Sequence, residues 1–202
     1  LWYLPALAVA VLLVWTACRA GLGVRQLLVE HTHFNDPEKR EHIRRLLIRA
    51  AQQKTIPIVN YNDPVSDEEN RKMELAIRRS HGDQVVECVD NDETAAVIAN
   101  LVHAKKLVLM TSTEGIYRDP ADPKTLVEQV TAKSMEELEE KVRQLQESCV
   151  GASRAGANGA KAKLEYALKS ARQGTMVIIG HARHRLSDLV EGRVACTRIG
   201  LE

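Results

Sequence analysis

The sequence predicts an α/β protein, a three-layer α/β/α sandwich with a largely parallel central sheet. Residues 84–117 run as a strand, a polar turn, a helix and a second strand, and this order within about thirty residues defines a βαβ unit with parallel strands. Residues 55–59 and 176–179 are two more short strands, rich in β-branched side chains. Helices with one apolar face lie between them, the alternation typical of a sheet covered by helices.

Length and composition fit one soluble domain over residues 1–202, in which 45% of the side chains are hydrophobic. The formal net charge of +1 gives no electrostatic argument for a nucleic-acid partner. The 4 cysteines lie far apart, without a CxxC pair or the spacing of metal ligands. We therefore expect free thiols in a reducing, cytoplasmic setting and no metal ligated by the protein alone.

The first 18 residues carry no charge and end at Arg19. A stretch of ~18 apolar residues is a marginal length for crossing a bilayer. Neither a Met nor a basic segment precedes it, as would be typical of a signal peptide. A buried or interface helix is the favoured interpretation and a membrane role the alternative. Because the chain begins without Met and inside an apolar helix, we expect it to be a fragment.

The first α/β elements carry clear start signals. A strand over residues 24–30 leads to Asp36 and Pro37, which are typical of an N-cap and a first helical position. Apolar side chains then recur at helical spacing up to Ala50. The arginines of this helix share its other face, which predicts a solvated surface, with a subunit contact as the alternative.

Two later helices open on capping boxes, Ser66 with Glu69 and Ser134 with Glu137. The first, over 66–80, is either a lid or an inert insertion, and the sequence leaves both open. After the strand over 176–179 come an end loop at 180–185, a short helix at 187–191 and a closing strand at 194–198.

Polar residues follow several of the predicted strands. In open parallel sheets, ligands bind beyond the carboxyl ends of the strands, so these loops predict the site. They comprise Asn60, Asn62 and Asp63 after one strand, Asp90, Asn91 and Asp92 after the next, and Thr111, Ser112, Thr113 and Glu114 after the third. The alternatives are purely structural roles, an Asx turn at 62–64 and an N-cap role for Asp92.

A loop of small residues over 150–162 precedes a helix that we expect to begin near Lys163. Glycines such as Gly156 and Gly159 let backbone N–H groups approach a phosphate, and the positive end of the helix adds to that attraction. The alternative is a flexible surface loop. The residues assigned to phosphate binding are Gly156, Ala157, Asn158, Gly159, Ala160, Lys161, Ala162 and Lys163.

Four stretches of the sequence also carry a pattern in a fixed order. They are IPIVNYNDPV (56–65), VDNDETAAVIANLVHAKKLVLMTSTEGIY (89–117), GANGAKAKLEYA (156–167) and EGRVACTRIG (191–200). They resemble motifs of the glutamate 5-kinases, of the amino acid kinase family. The resemblance implies ATP-dependent phosphorylation of an amino acid carboxylate, most closely the γ-carboxylate of glutamate in proline synthesis, with Mg²⁺. It also implies that the protein binds two small molecules, ATP and the amino acid, and that it forms a homo-oligomer.

Residue roles follow from this resemblance. Asp63 and Asn91, with Asn60, would bind the amino acid, because an ammonium group needs an anionic acceptor and a carboxylate needs donors. Asp92 would organise the lysines and the transferred phosphate. The resemblance also implies that Thr111, Ser112 and the loop up to Lys163 bind ATP, and that Lys163 contacts its phosphates.

The sequence departs from the family pattern at three places. Ser112 stands where the family has an Asp, and Ala157, Asn158 and Ala160 replace its Thr-Gly-Gly-Met elements. The lysine and the Gly-Ser turn of the family's first strand have no match in residues 1–23, and without them the fragment would lack a main electrostatic contributor. Two alternatives follow: a kinase of the same fold for another small acid or a nucleoside monophosphate, and a non-catalytic binding or regulatory protein.

Overall fold

The computed structural model describes Trp15, Arg19, Gly21 and residues 23–61, 91–119, 121–148 and 159–202. It divides the chain into two compact units, Leu1–Asn91 and Asp92–Glu202. One domain over residues 1–202 stays a prediction. The predicted strand 84–89, the helix 66–80 and almost all of the apolar stretch 1–18 lie outside the described residues.

The first unit contains two parallel strands and two helices. The order is β1 (Gly23–Val29), α1 (His31–Asn35), α2 (Pro37–Gln52) and β2 (Thr55–Tyr61). The strands pair in parallel from Gly23 opposite Thr55 to Val29 opposite Tyr61. Both predicted strands are confirmed, with bounds shifted by one or two residues.

Helix α2 begins and packs as its sequence predicts. The Asp36 carboxylate accepts hydrogen bonds from the backbone N–H of Glu38 at 2.9 Å and of Lys39 at 3.0 Å, and Pro37 follows as the first helical residue. The buried face is formed by Ile43, Leu47 and Ala50. A cap and an apolar stripe on one helix are therefore enough to fix its start and its orientation.

The outer face of α2 carries an ion-pair cluster around Glu41. The Arg44 guanidinium donates to this carboxylate at 2.7 Å and that of Arg45 at 2.9 Å. These hydrogen bonds, led by that of Arg44, lower the pKa of Glu41 to about 2. Arg44 and Arg45 are thus paired with a carboxylate on the outer face of the helix, and the choice between a solvated surface and a subunit contact stays a prediction.

The second unit is built on a four-stranded mixed sheet. Its helices are α3 (Asn91–Leu101, beginning one residue before the unit boundary), α4 (Met135–Ser148), α5 (Ala160–Ala171) and α6 (Leu186–Glu191). Its strands are β3 (Lys106–Thr111), β4 (Ile116–Tyr117), β5 (Leu126–Val127), β6 (Gln129–Ala132), β7 (Met176–His181) and β8 (Thr197–Leu201). A short 3₁₀ helix, Pro123–Thr125, precedes β5.

Strand directions in this sheet decide which loops meet. The order is β3, β7, β8, β6, with β3 parallel to β7, β7 antiparallel to β8, and β8 parallel to β6. Strands β4 and β5 form a separate antiparallel pair. Three of the five described pairings are parallel, counting that of β1 with β2, so the sheets are mixed but mostly parallel.

Apolar side chains cover both faces of the four-stranded sheet. On one face Val177 and Ile179 of β7 pack with α4 and α5, through side chains such as Val142 and Leu164. On the other face Ile178 packs with Leu189 of α6 and with Cys196, a free buried thiol. Successive side chains of β7 point to opposite faces, and Val177, Ile178 and Ile179 are all buried, so helices lie on both faces and the unit has three layers.

Two element bounds differ from the sequence prediction. The closing strand is Thr197–Leu201 and not 194–198, because its pairing with β7 places Ile199 opposite Val177 and buries it. Gly192 caps the preceding helix in the left-handed region at φ 73°, so the chain is still turning there. Helix α5 begins at Ala160, three residues before the expected start at Lys163, so residues 160–162 are helical and not loop.

The capping box predicted for α4 is half formed. The Ser134 hydroxyl accepts from the backbone N–H of Glu137 at 3.2 Å, as expected. The Glu137 carboxylate accepts from the N–H of Lys133 at 3.3 Å instead of that of Ser134. The capping box at 66–69 lies outside the described residues.

Within the described part of the chain, no helix has the length and apolar character needed to span a bilayer.

Candidate active site

The candidate site lies at one edge of the four-stranded sheet. Strands β3 and β7 are parallel neighbours, so their carboxyl ends meet there, with Thr111 opposite His181. Strands β6 and β8 run the other way and begin at this edge. Helix α5 is joined to β7 by a short turn and so runs back along it, which places its N-terminus at the same edge. This is where ligands bind in sheets of this kind.

An ion pair joins the first turns of two helices at this edge. Lys163, in the first turn of α5, donates its ammonium group to Oδ2 of Asp92, the second residue of α3. The two side chains are 22% and 27% exposed, so the pair is partly screened and still open to a ligand. Asp92 therefore lies inside the helix and is not its N-cap, and its carboxylate is aimed at the lysine.

The first turn of α5 offers hydrogen-bond donors beside Lys163. Gly159 is its N-cap and supplies no side-chain cap. The first backbone N–H groups of a helix have no acceptor within the helix, and they carry its positive end. The carbonyl of Lys161 accepts from the Gln146 side chain at 3.0 Å, which braces this turn against α4. The turn is therefore a positively polarised surface with a cation beside it.

A second cluster joins the loops that follow β3 and β7. Glu114 accepts from the Arg183 guanidinium at Oε1, and its Oε2 lies 2.6 Å from Nε2 of His184. The Glu114 side chain is 17% exposed, whereas that of Arg183 is 64% exposed. The backbone N–H of Ala182 donates to the carbonyl of Thr111 at 2.9 Å, which extends the strand pairing into these loops. The two loops are thus fixed to each other.

A buried hydroxyl, that of Thr197, also holds the loop after β3 in place. Thr197 Oγ1 accepts from the backbone N–H of Ile116 at 2.8 Å and donates to the carbonyl of Val127 at 2.6 Å. Gly115 passes directly over it, because a Cβ at this position would lie 2.4 Å from that oxygen. Glycine is required here for a close approach of the backbone.

The structure brings some of the predicted site residues together. Asp92 and Lys163 are in contact, and Thr111 and Ser112 lie at the end of β3 on the same edge, with Ser112 exposed. Ala160, Lys161 and Ala162 form the first turn of α5 behind Gly159. These are the residues from which an ATP site in this unit would be built.

The predicted amino acid site falls on other parts of the chain. Asn60 lies in β2 of the first unit and is exposed, and Asn91 is the exposed first residue of α3. Asp63, Gly156, Ala157 and Asn158 lie outside the described residues. Their roles stay predictions.

A groove of about 550 Å³ runs beside α4 and the edge strand β6. Its one end, at Gln129 and Ser148, lies at the edge of the sheet described above, because β6 begins and α4 ends there. The lining residues are Arg118, Val127, Gln129, Val130, Thr131, Lys141, Gln144, Leu145, Ser148 and Glu202. Its lining combines charged, amide, hydroxyl and apolar side chains, and its volume lies in the range of sites for small organic ligands.

Among the residues that the structure describes, no three His, Cys, Asp or Glu side chains converge on one point. Magnesium usually binds through substrate phosphates with one or two carboxylates, and the Asp92 carboxylate at the positive end of α5 is a fitting neighbour for such a complex.

Glu114 belongs to a loop that the sequence placed at the site, but no role was assigned to it, and Arg183 and His184 were not assigned to the site from the sequence. Each follows the end of a predicted strand, which is a usable signal. Glu114 lies 69 residues from Arg183 along the chain, however, and nothing in the sequence indicates that β3 and β7 are neighbours.

Comparisons with known proteins place this geometry in a family. The profile of the amino acid kinase family matches residues 7–181. Glutamate 5-kinase of Geobacillus kaustophilus (strain HTA426) is 30% identical over 184 residues, which are 90% of this chain and 44% of that protein. The glutamate 5-kinase of Chromobacterium violaceum (strain ATCC 12472) is 29% identical over 182 residues, or 89% of this chain and 43% of that protein. The chain thus spans less than half the length of these relatives.

A solved structure shows the same fold at low identity. Carbamate kinase from Giardia lamblia bound to AMP-PNP superposes with a TM-score of 0.58 and 14% identity, covering 94% of this chain and 66% of that one. The family profile, which covers most of the chain, agrees with the α/β fold and with the order of the motifs. The chain belongs to the amino acid kinase family.

Proposed function

We propose that the protein is an ATP-dependent kinase that phosphorylates an amino acid carboxylate, the γ-carboxylate of glutamate. The observation that carries this proposal is the Asp92–Lys163 ion pair between the first turns of α3 and α5. Support comes from the family and from relatives that are glutamate 5-kinases. A cytoplasmic location and a homo-oligomer remain predictions that accompany it.

In this proposal Lys163 and the first turn of α5 hold the phosphates of ATP. Phosphoryl transfer depends on positioning and on neutralising the charge of the transferred group. The Lys163 ammonium supplies a full charge, and the backbone N–H groups beside it supply fixed dipoles. Asp92 keeps the lysine in place before ATP arrives. Thr111 and Ser112 border the same edge, and the groove beside α4 suits the nucleoside.

The acceptor would be held by Asp63, Asn91 and Asn60, as the resemblance implies. A carboxylate oxygen of glutamate attacks the γ-phosphorus, and the bond from that phosphorus to the β–γ bridging oxygen breaks. The products are an acyl phosphate and ADP. Mg²⁺, when bound with ATP, neutralises charge on its phosphates.

The test is ADP release by the full-length protein with MgATP and a panel of acceptors: glutamate, aspartate, carbamate and UMP. Hydroxylamine added to the assay converts an acyl phosphate to a hydroxamate, which identifies a carboxylate as the acceptor. We expect glutamate to give both ADP and hydroxamate. If only UMP or only carbamate gave ADP release, that compound and not glutamate would be the acceptor. No ADP release with any of the four compounds would favour the non-catalytic alternative.

Lys163→Gln supplies the matching loss of function. Removing one preorganised charge at a reacting phosphate is expected to lower kcat/KM by about 10²- to 10³-fold. Lys169→Gln is the control, because this lysine lies on the same helix, is 47% exposed and pairs with Glu165 at 3.0 Å. Equal activity of the two variants would remove Lys163 from the mechanism.

A further inference from the structure

The cluster of Glu114, Arg183 and His184 has no role in the function as proposed so far. It lies at the carboxyl ends of β3 and β7, the same edge that carries Lys163. Ion pairs on protein surfaces usually contribute little to stability, so stability alone is a weak reason for this arrangement. Its geometry is that of a held cation.

Glu114 is engaged on both oxygens and Arg183 is engaged on one nitrogen. The carboxylate meets Nη2 of Arg183 at Oε1 and Nε2 of His184 at Oε2. An arginine has five N–H donors, and here a single side-chain nitrogen is used within the described residues. The guanidinium is therefore fixed by one corner and keeps the rest of its donors for a ligand.

The location selects the class of ligand. Arg183 is 64% exposed and lies on a turn in which its backbone N–H donates to Nδ1 of His181 at 3.1 Å. The positive end of α5 and Lys163 lie at the same edge. A planar guanidinium with free donors, at a sheet edge that carries a second cation, suits the oxygens of a polyphosphate, which it can bind in pairs.

We propose that Arg183 contacts the phosphates of the bound nucleotide and that Glu114, supported by His184, is the positioning residue that holds it there. This inference rests on the proposed function, because the ligand is the same ATP. It adds a cation on the β7 loop to the one on α5. Glu114 acts through Arg183 and does not itself touch the nucleotide.

The first test measures the affinity of the full-length protein for ATP, ADP and AMP by calorimetry in the wild type and in Arg183→Gln. Losing a charge-assisted hydrogen bond to phosphate is expected to weaken ATP binding about tenfold. ADP should lose less, AMP should be unaffected, and Arg183→Lys should recover part of the loss. A loss equal for all three nucleotides would indicate damage to the fold and overturn the proposal.

Arg185→Gln is the matched control. Arg185 lies two residues further along the same loop, is exposed, and makes no side-chain ion pair within the described part of the chain. We expect it to bind ATP as the wild type does. Indistinguishable ATP affinities for Arg183→Gln and Arg185→Gln would overturn the role of Arg183 while leaving the kinase proposal intact. A wild type that binds no ATP would overturn both.

The role of Glu114 is tested by a double-mutant cycle. Glu114→Gln alone should weaken ATP binding less than Arg183→Gln does, and it should add nothing in the Arg183→Gln background, since it acts through that arginine. Additive losses would show that Glu114 acts independently, and the positioning role would be wrong.

Discussion

Thr197 is the residue that joins the site loop to the core of the second unit. Its buried hydroxyl accepts from the Ile116 N–H and donates to the Val127 carbonyl, at 2.8 Å and 2.6 Å. Thr197 is fully buried and so is its bond with the Ile116 N–H, which therefore has no water as a substitute partner, whereas Val127 is half-buried. One hydroxyl thus satisfies two backbone groups from two segments.

Thr197→Val should therefore lower the free energy of unfolding by about 2 to 4 kcal/mol, because it leaves the buried Ile116 N–H and the half-buried Val127 carbonyl without this partner. Thr175→Val is the comparison, since the Thr175 hydroxyl makes one such bond, to the Ala104 carbonyl at 2.7 Å. Its expected loss is about 1 to 2 kcal/mol. Urea unfolding at constant m-value measures both. Equal losses in the two variants would contradict this account.

At the residue scale, the local patterns of the sequence predicted Asp92 and Lys163 separately, and only the resemblance to a family implied that Asp92 organises a lysine. Asp92 stands out because three polar side chains follow an apolar run, and Lys163 because it follows a small-residue loop. Their meeting requires α3 and α5, whose paired residues are 71 positions apart, to begin at the same edge of the sheet. Side-chain chemistry can be read from a sequence, but proximity across the fold cannot.

Helix α2 shows how a local signal sets an element. The carboxylate of its N-cap, Asp36, accepts hydrogen bonds from two backbone N–H groups. Both donors lie within three residues of Asp36, so the signal is local in the sequence. Asp36→Ala should lower the free energy of unfolding by about 1 kcal/mol, the usual cost of losing such a cap. Asp36→Asn should restore most of it, because its amide oxygen can still accept.

Chemical denaturation of these two variants checks the prediction, with circular dichroism at 222 nm to follow the helix. The Asn variant serves as its control, since it keeps the size and loses the charge. If Asp36→Asn were as unstable as Asp36→Ala, the negative charge and not the hydrogen bonds would be the source of the stabilisation.

The bounds of a capped helix follow from local sequence signals, whereas the bounds of a strand follow from its pairing with other strands. The predicted start of α4 at residues 134–135 agrees with the structure because Ser134 caps it. Strand β8 lies three residues later than predicted, because its ends are set by pairing with β7 and β6. Strands obtain their hydrogen bonds from partners distant in sequence, so their bounds are not contained in the local sequence.

For the molecule as a whole, the kinase proposal predicts stabilisation by ligand. A ligand that binds only the folded state at a hundred times its Kd adds about 2.7 kcal/mol to the free energy of unfolding. MgATP should therefore raise Tm in the wild type and in Lys169→Gln. In Lys163→Gln, the same rise should need a higher concentration.

Differential scanning calorimetry over a series of MgATP concentrations measures this dependence. AMP at the same concentrations controls for general effects of nucleotide and salt, since it lacks the β- and γ-phosphates. An unchanged Tm of the wild type at every MgATP concentration would contradict the proposal that this chain binds ATP.

The sequence by itself determined the α/β class, the capped helices and the motifs that resemble the amino acid kinases, since each of these depends on residues close together in the chain. The tertiary structure alone decided that β3 and β7 are neighbours and that β8 lies between β7 and β6, antiparallel to β7 and parallel to β6. That strand order brings Asp92 to Lys163 and Glu114 to Arg183 and His184. The physical reason is that strand pairing is chosen by burial of the whole sheet, a sum over distant segments that no local pattern contains.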